Sequence, residues 1–159
     1  MNLKVTISDQ SGGGAMPGLR WIGARLKDLL SRLGVTRCEW TITIVDDAAM
    51  AELHARTMNL PDTTDVLTFD MRDDTAKTRE GAPVELDTVL CVDEARRRAA
   101  EMGHGLREEL LLYALHSLLH VQGYDDVTPA KARRMHQRED ELLRALGVGA
   151  VYARKGGAR

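Results

Sequence analysis

The chain lacks the features that would commit it to a membrane, a secreted scaffold or bulk binding of nucleic acid. No apolar run approaches the roughly 20 residues that cross a bilayer, and no basic segment followed by an apolar one opens the chain. Neither a transmembrane helix nor a secretory signal is therefore expected, and a cytoplasmic setting is. Cysteine is scarce: Cys38 and Cys91 each fall in a strand-like stretch and no Cys-x-x-Cys spacing occurs, which points to free buried thiols rather than a disulfide or thiolate ligands. A basic excess is missing too. The net charge is −2, so the basic clusters at Arg96-Arg97-Arg98 and at Lys131, Arg133, Arg134 and Arg138 read as solvated helix faces, balanced by Glu94, Glu101, Glu139 and Asp140.

What is present is an ordinary globular composition, 43% hydrophobic and 29% charged over 159 residues, enough to bury a sizeable core. With no internal repeat and no linker, one domain is expected over residues 1–147, followed by a flexible Gly-rich, basic tail over 148–159. Period-2 alternation predicts strands at Leu3 to Ser8 and Cys38 to Val45; Asp65 to Phe69 reads as a short strand and Val84 to Val92 as strand-like. Val89 to Val92 is continuously apolar, as in a strand buried on both faces. Helical periodicity predicts helices from Gly18 to Leu33, Asp47 to about Met58 with Asp46 as cap, Asp93 to Gly103 with Asp93 as cap, Leu106 to Val121, and Thr128 to Leu146 with Met135, Leu142, Leu143 and Leu146 inward. Met71 to Pro83 reads as a polar loop. The order predicts an α+β (α/β-like) sandwich: a small, mostly parallel four-stranded sheet with about five helices.

The chemistry gathers in one stretch, His116-Ser-Leu-Leu-His120-Val-Gln-Gly123-Tyr124-Asp125-Asp126. Residues four apart on a helix share a face, so His116 and His120 can aim at one point. Gly123 can stop the helix in a left-handed conformation and turn the chain back, bringing Asp125 or Asp126 toward the histidines. Two nitrogens and an oxygen would then hold a metal with one position open, as catalytic zinc sites do. The plainer reading is a chance pair of satisfied histidines. Against it stand Leu110, Leu111, Leu112, Leu115, Leu118 and Leu119, which make the helix apolar nearly all round; histidines buried there without partners would be costly.

The spacing His-x-x-x-His-x-x-Gly-x-x-Asp also matches the ligands of metzincin proteases, including their aspartate variant. Those enzymes carry a glutamate general base directly after the first histidine, where this chain has Ser117. A serine hydroxyl takes up no proton near neutral pH without a base of its own, so peptide hydrolysis by that route is disfavoured. Of the other histidines, His54 and His104 lack a partner at ligand spacing, and His136 reads as a surface residue. Ser117 is explained by close helix packing and Met135 by the core.

The chain more closely resembles the YbeY family of bacterial metal-dependent endoribonucleases, whose hallmark is His-Gly-x-Leu-His-Leu-x-Gly-Tyr-Asp-His. His116, Leu119, His120, Gly123, Tyr124 and Asp125 stand in the corresponding places. Thr64-Asp-Val-Leu-Thr-Phe69 is similar to the family's Thr-Asp-Val-Leu-Ser-Phe strand, Asp87 to Cys91 resembles its Gly-Asp-Ile-Val-Ile segment, and Gly103-His104 matches the start of its ligand helix. The likeness spans roughly Trp40 to Leu146.

That resemblance implies cleavage of single-stranded RNA, maturation of the 3′ end of small-subunit ribosomal RNA, ribosome quality control, and the small subunit as partner. It implies one zinc per chain on His116, His120 and Asp126, with Asp125 supporting them from outside the ligand set. Nickel, cobalt, manganese or iron suit the same donors. Thr64, Asp65 and Thr68 are the implied substrate-binding residues. The chain departs from the family at Ser117, at Asp126 in place of a third histidine, and at Met58, where the family has an arginine; Arg56, two residues earlier, is the candidate to join His116 and His120 in catalysis. Two alternatives stand beside the nuclease: a hydrolase of another substrate such as peptides, and a non-catalytic ribosome-associated factor with a structural metal.

Overall fold

The computed structural model describes residues 2–12, 16–58, 65–73, 75–76 and 78–149, Met58 by its backbone alone. In chain order the elements are β1 (Asn2–Asp9), α1 (Leu19–Arg32), β2 (Arg37–Val45), α2 (Asp47–Met58), β3 (Val66–Asp70), β4 (Val84–Cys91), α3 (Val92–Met102), α4 (Leu106–Val121) and α5 (Pro129–Ala145). The sheet runs β1-β2-β4-β3, with β1, β2 and β4 parallel and β3 antiparallel on the edge. This is the expected α+β fold with a mostly parallel four-stranded sheet.

Alternation sets the faces of the sheet. In β2, Cys38, Trp40, Ile42 and Ile44 are buried while Arg37, Glu39 and Thr41 are exposed. Their register against β4, Trp40 on Leu86, Ile42 on Thr88 and Ile44 on Leu90, lays one apolar face under the helices. On the other face α2 covers only one end, where Met50 joins Val45, Leu67 and Cys91 in a smaller cluster. The end of β4 is accordingly buried on both sides, with Leu90 in the main core and Cys91 in the smaller one.

Helix α4 is the centre of the main core. Leu110, Leu111, Leu112, Leu115, Leu118 and Leu119 are all fully buried, and each such side chain contributes about 1.5–3 kcal/mol of burial free energy. Neighbours on every side, α1, α3, α5, β3 and β4, account for the lack of a polar face. Helix α5 starts as its sequence predicts: the Thr128 hydroxyl accepts a hydrogen bond from the Lys131 amide at 3.2 Å, and Pro129 follows.

One cap is placed differently from expectation. Strand β4 runs directly into α3, so Asp93 falls inside the first turn, and Cys91 at the cap position makes no side-chain cap bond. The Asp93 carboxylate instead accepts from the Asp47 amide of α2 at 2.9 Å, beside Asp46, which accepts from Ala49 at 2.9 Å. Asp93 thus serves the start of a neighbouring helix. Beyond α5, Val148 packs on the core, and residues 150–159 of the expected tail lie outside those described. Among the described residues no helix is long and apolar enough to cross a membrane.

Candidate metal centre

The histidine pair is presented by the most deeply packed helix in the molecule. His116 and His120 sit one turn apart on α4, with ring centroids 4.6 Å apart and planes nearly perpendicular, and their Nε2 atoms are 3.1 Å from each other. After Val121 the chain reverses. Tyr124 donates its amide to the Leu119 carbonyl at 3.0 Å, and Gly123 takes φ +104°, a conformation that L side chains rarely adopt. A Cβ there would lie 2.8 Å from the Thr78 carbonyl oxygen, so both the turn and its packing require glycine. The reversal returns Asp126 to the histidines, its Oδ2 3.9 Å from His116 Nε2. Donor atoms of His116, His120 and Asp126 all lie within 4.8 Å of one another.

The protonation pattern suits a cation. His116 Nδ1 is 2.6 Å from Glu139 Oε2 on α5, and the Glu139 carboxyl is fully buried. Burial alone would raise that carboxyl, but hydrogen bonds from His116 and His136 outweigh it and hold it below the ordinary range. A carboxylate only accepts, so Nδ1 of His116 carries a proton, which leaves Nε2, the atom facing the group, as the nitrogen that can ligate. At His120, burial and then the adjacent His116 favour the neutral ring. The two Nε2 atoms, 3.1 Å apart, sit close to the roughly 3.3 Å that zinc–nitrogen bonds of about 2.0–2.1 Å give in a tetrahedron. Two imidazoles and one half-exposed carboxylate therefore fit a divalent transition metal.

Asp125 faces elsewhere: one oxygen accepts from the Val127 amide at 3.1 Å and the other lies 3.6 Å from Lys131 Nζ. Asp65 and Thr68 line a cavity with His116 and His120, as do Thr57 and Phe69. A second cavity, bounded by Asp65, Tyr113, Asp126 and His136, opens on the other side of His116. Thr64 lies outside the described residues. Arg56 is exposed on the last turn of α2 and does not line the cavity. His54 and His104 stay apart from the group, His104 paired with buried Glu109 at 2.6 Å. Ser117 does more than pack closely: its hydroxyl lies 2.9 Å from that of Thr68 and 2.8 Å from that of Thr88, which accepts the Trp40 indole N–H at 2.9 Å. The cysteines are inert, with burial pushing the Cys38 thiol up to about 12 and that of Cys91 to about 11.

Two expectations are corrected. Glu139 does not lie on a solvated face; it is wholly inside, bridging His116 and His136. His136 is not a free surface residue either, since its Nδ1 is 3.0 Å from Glu139 and it borders the cavity beside Asp126. A signal existed for Glu139: it stands four residues after inward Met135 and three before inward Leu142, in phase with the buried stripe.

Residues 19–147 match the family model described as Endoribonuclease YbeY. A Synechococcus protein named Endoribonuclease YbeY is 38% identical over 129 residues, covering 80% of this chain and 81% of the relative. A Micrococcus luteus protein of the same name is 43% identical over 110 residues, 67% of this chain and 69% of the relative. The fold is similar to a solution structure from Thermotoga maritima, with a TM-score of 0.60 at 17% identity over 98% of this chain and 100% of that one.

Proposed function

The chain belongs to the YbeY family of endoribonucleases, and from that premise we propose that it is a metal-dependent hydrolase cutting single-stranded RNA at the His116–His120–Asp126 group. The carrying observation is the convergence of these three donors with a buried carboxylate fixing His116 from behind. Residues 1–147 form its single catalytic unit, the cytoplasm is its setting, and the 3′ end of small-subunit ribosomal RNA, in maturation and ribosome quality control, is its substrate.

One zinc ion per chain is the proposed cofactor, and it supplies Lewis-acid polarisation of a phosphoryl oxygen. The protein's own residues do the rest. Glu139 holds His116 in the ligating tautomer and orientation. Asp65, Thr68 and Phe69 shape the cavity in front of the histidines, with Phe69 offering a face on which a splayed base can stack. Asp126 contributes a carboxylate where the family hallmark has a neutral histidine, which lowers the net charge of the loaded site by one and weakens its pull on electrons of bound groups. Asp125 braces the ligand loop through Val127 and Lys131.

A second reading has a specific observation in its favour. The one arginine near the family's position, Arg56, is exposed and does not line the cavity, as a ribosome-associated factor with a structural metal would allow. One experiment separates the two: metal content by mass spectrometry of untagged wild type, His120→Ala and Asp126→Ala, each assayed on single-stranded ribosomal RNA. The nuclease reading expects about one metal per chain and cleavage, both lost in the variants. Metal without cleavage in the wild type would transfer the conclusion to the structural factor.

A further inference from the structure

The loop that carries Asp126 has two sides, and only one faces the histidines. On the other lies a cavity of about 420 Å³ bordered by Arg79, Gln122, Tyr124, Lys131 and Arg134. Gln122 is 3% exposed, and neither the oxygen nor the nitrogen of its side-chain amide has a hydrogen-bond partner among the described residues. A buried amide left unpaired costs stability, which folding alone gives no reason to retain. Of the cations beside it, Lys131 lies 3.6 Å from Asp125 and Arg79 donates only to the Glu80 main-chain carbonyl at 3.3 Å, so neither arginine is held by a carboxylate in an ion pair among the described residues; the Arg134 guanidinium stands 5.8 Å from the centre of the Tyr124 ring. Two carboxylates also border the cavity, and both are engaged: Asp125 accepts from the Val127 amide and faces Lys131, and Glu80 takes two contacts of 2.8 Å from Arg138 and the Tyr124 hydroxyl at 2.7 Å. Close packing of the Thr78 carbonyl on Gly123 makes this wall one body with the ligand loop.

We propose that this cavity is a nucleotide subsite, taking one nucleotide of the RNA strand away from the cleavage position. Its flanking phosphates meet Arg79 and Arg134, and its base edge meets the Gln122 amide, which offers an adjacent donor and acceptor as a base edge requires. Tyr124, already facing a guanidinium, provides an aromatic surface beside the base. The inference rests on the RNA reading above, since an anionic, hydrogen-bonding, planar ligand is what a single strand supplies. It also places a substrate contact directly behind Asp126, so that strand binding braces the loop bearing the third proposed ligand.

The test uses the full chain and a short fluorescent 2′-O-methyl oligoribonucleotide, with anisotropy read across a salt series. Arg79→Ala/Arg134→Ala should weaken binding about tenfold and reduce the log–log salt slope by about 1.4, the value for two single-strand phosphates. Gln122→Leu should weaken binding several-fold at an unchanged slope while raising the melting temperature, a combination that a purely structural glutamine does not give. Wild-type affinity and slope in both variants, in a protein that cuts RNA, would overturn the subsite and leave the nuclease intact. The expected losses in a protein that cuts no RNA would overturn the nuclease and keep the subsite. Competition by polyaspartate as strong as by the oligonucleotide would reassign the cavity to an acidic protein partner.

Discussion

Replacing Glu139 tests the part of the centre that the structure adds to the motif. Its carboxylate is fully buried and accepts from His116 at 2.6 Å and from His136 at 3.0 Å. In Glu139→Ala, His116 loses the acceptor that keeps its proton on Nδ1, so the tautomer with Nε2 blocked becomes populated. Losing the hydrogen bond that fixes a ligating imidazole costs roughly 10–100-fold in metal affinity, or about 1.4–2.8 kcal/mol. Stability without metal should fall as well, by about 3 kcal/mol, because two imidazole N–H groups are left beside a void. Glu139→Gln retains an oxygen that can accept from His116, and its metal affinity should fall about tenfold or less. The assay is competition for zinc against a chromophoric chelator near neutral pH, with urea melts of each variant in excess chelator. Wild-type zinc affinity in Glu139→Ala, or equal losses in the Ala and Gln variants, would refute control of the tautomer by this carboxylate.

Two further outcomes follow from the ligand loop and its surroundings. Gly123→Ala should cost more than about 1 kcal/mol, since it adds a Cβ 2.8 Å from the Thr78 oxygen to the strain of φ +104°, and zinc affinity should fall with it; Gly34→Ala, at φ +81° with nothing within 4 Å, should cost less and spare the zinc. Equal effects in the two variants, read by melts and chelator competition, would remove the packing argument. Glu80 is held below its ordinary value by Arg138, against the opposing effect of burial, with help from Tyr124. A depressed carboxyl stabilises the fold above its unfolded pKa, and that contribution disappears as the pH falls through the folded one. Glu80→Gln should therefore lower neutral stability by about 1 kcal/mol or less, given partial exposure, and flatten the loss of stability below about pH 4.5, where the ordinary value lies; an unchanged acid limb in urea melts would contradict this.

Legibility in the sequence followed locality. The limits of α4 could be read from Leu106 to Val121 because one apolar run carries the whole signal, and the stop at Gly123 because a positive φ singles out glycine. Strand β2 announced itself by alternation. The charges of α5 did not sort themselves: Glu139 looks like its neighbours Arg138 and Asp140, and only the histidine it meets across the helix interface separates it from a solvated face. Asp93 departs from expectation for a related reason: a carboxylate ahead of a helix commonly caps it, yet here another helix start lies within its reach. Strand order was likewise out of view: β3 enters the sheet antiparallel to β4, through pairing that no local pattern specifies.

The same packing bears on whether a metal here would be structural or catalytic. Small structural zinc domains depend on the ion because they bury too little without it. Here the helix bearing both histidines is enclosed by its own leucines, and the third donor, Asp126, is half-exposed on a loop. Removing metal from such an arrangement should unlock the loop while leaving the core folded. Structural sites also close around the ion with four protein ligands; the group found among the described residues has three, and cavities open on either side of His116. A rigid nitrogen pair, an adjustable carboxylate and access from two directions favour a centre that admits substrate over one that staples a fold.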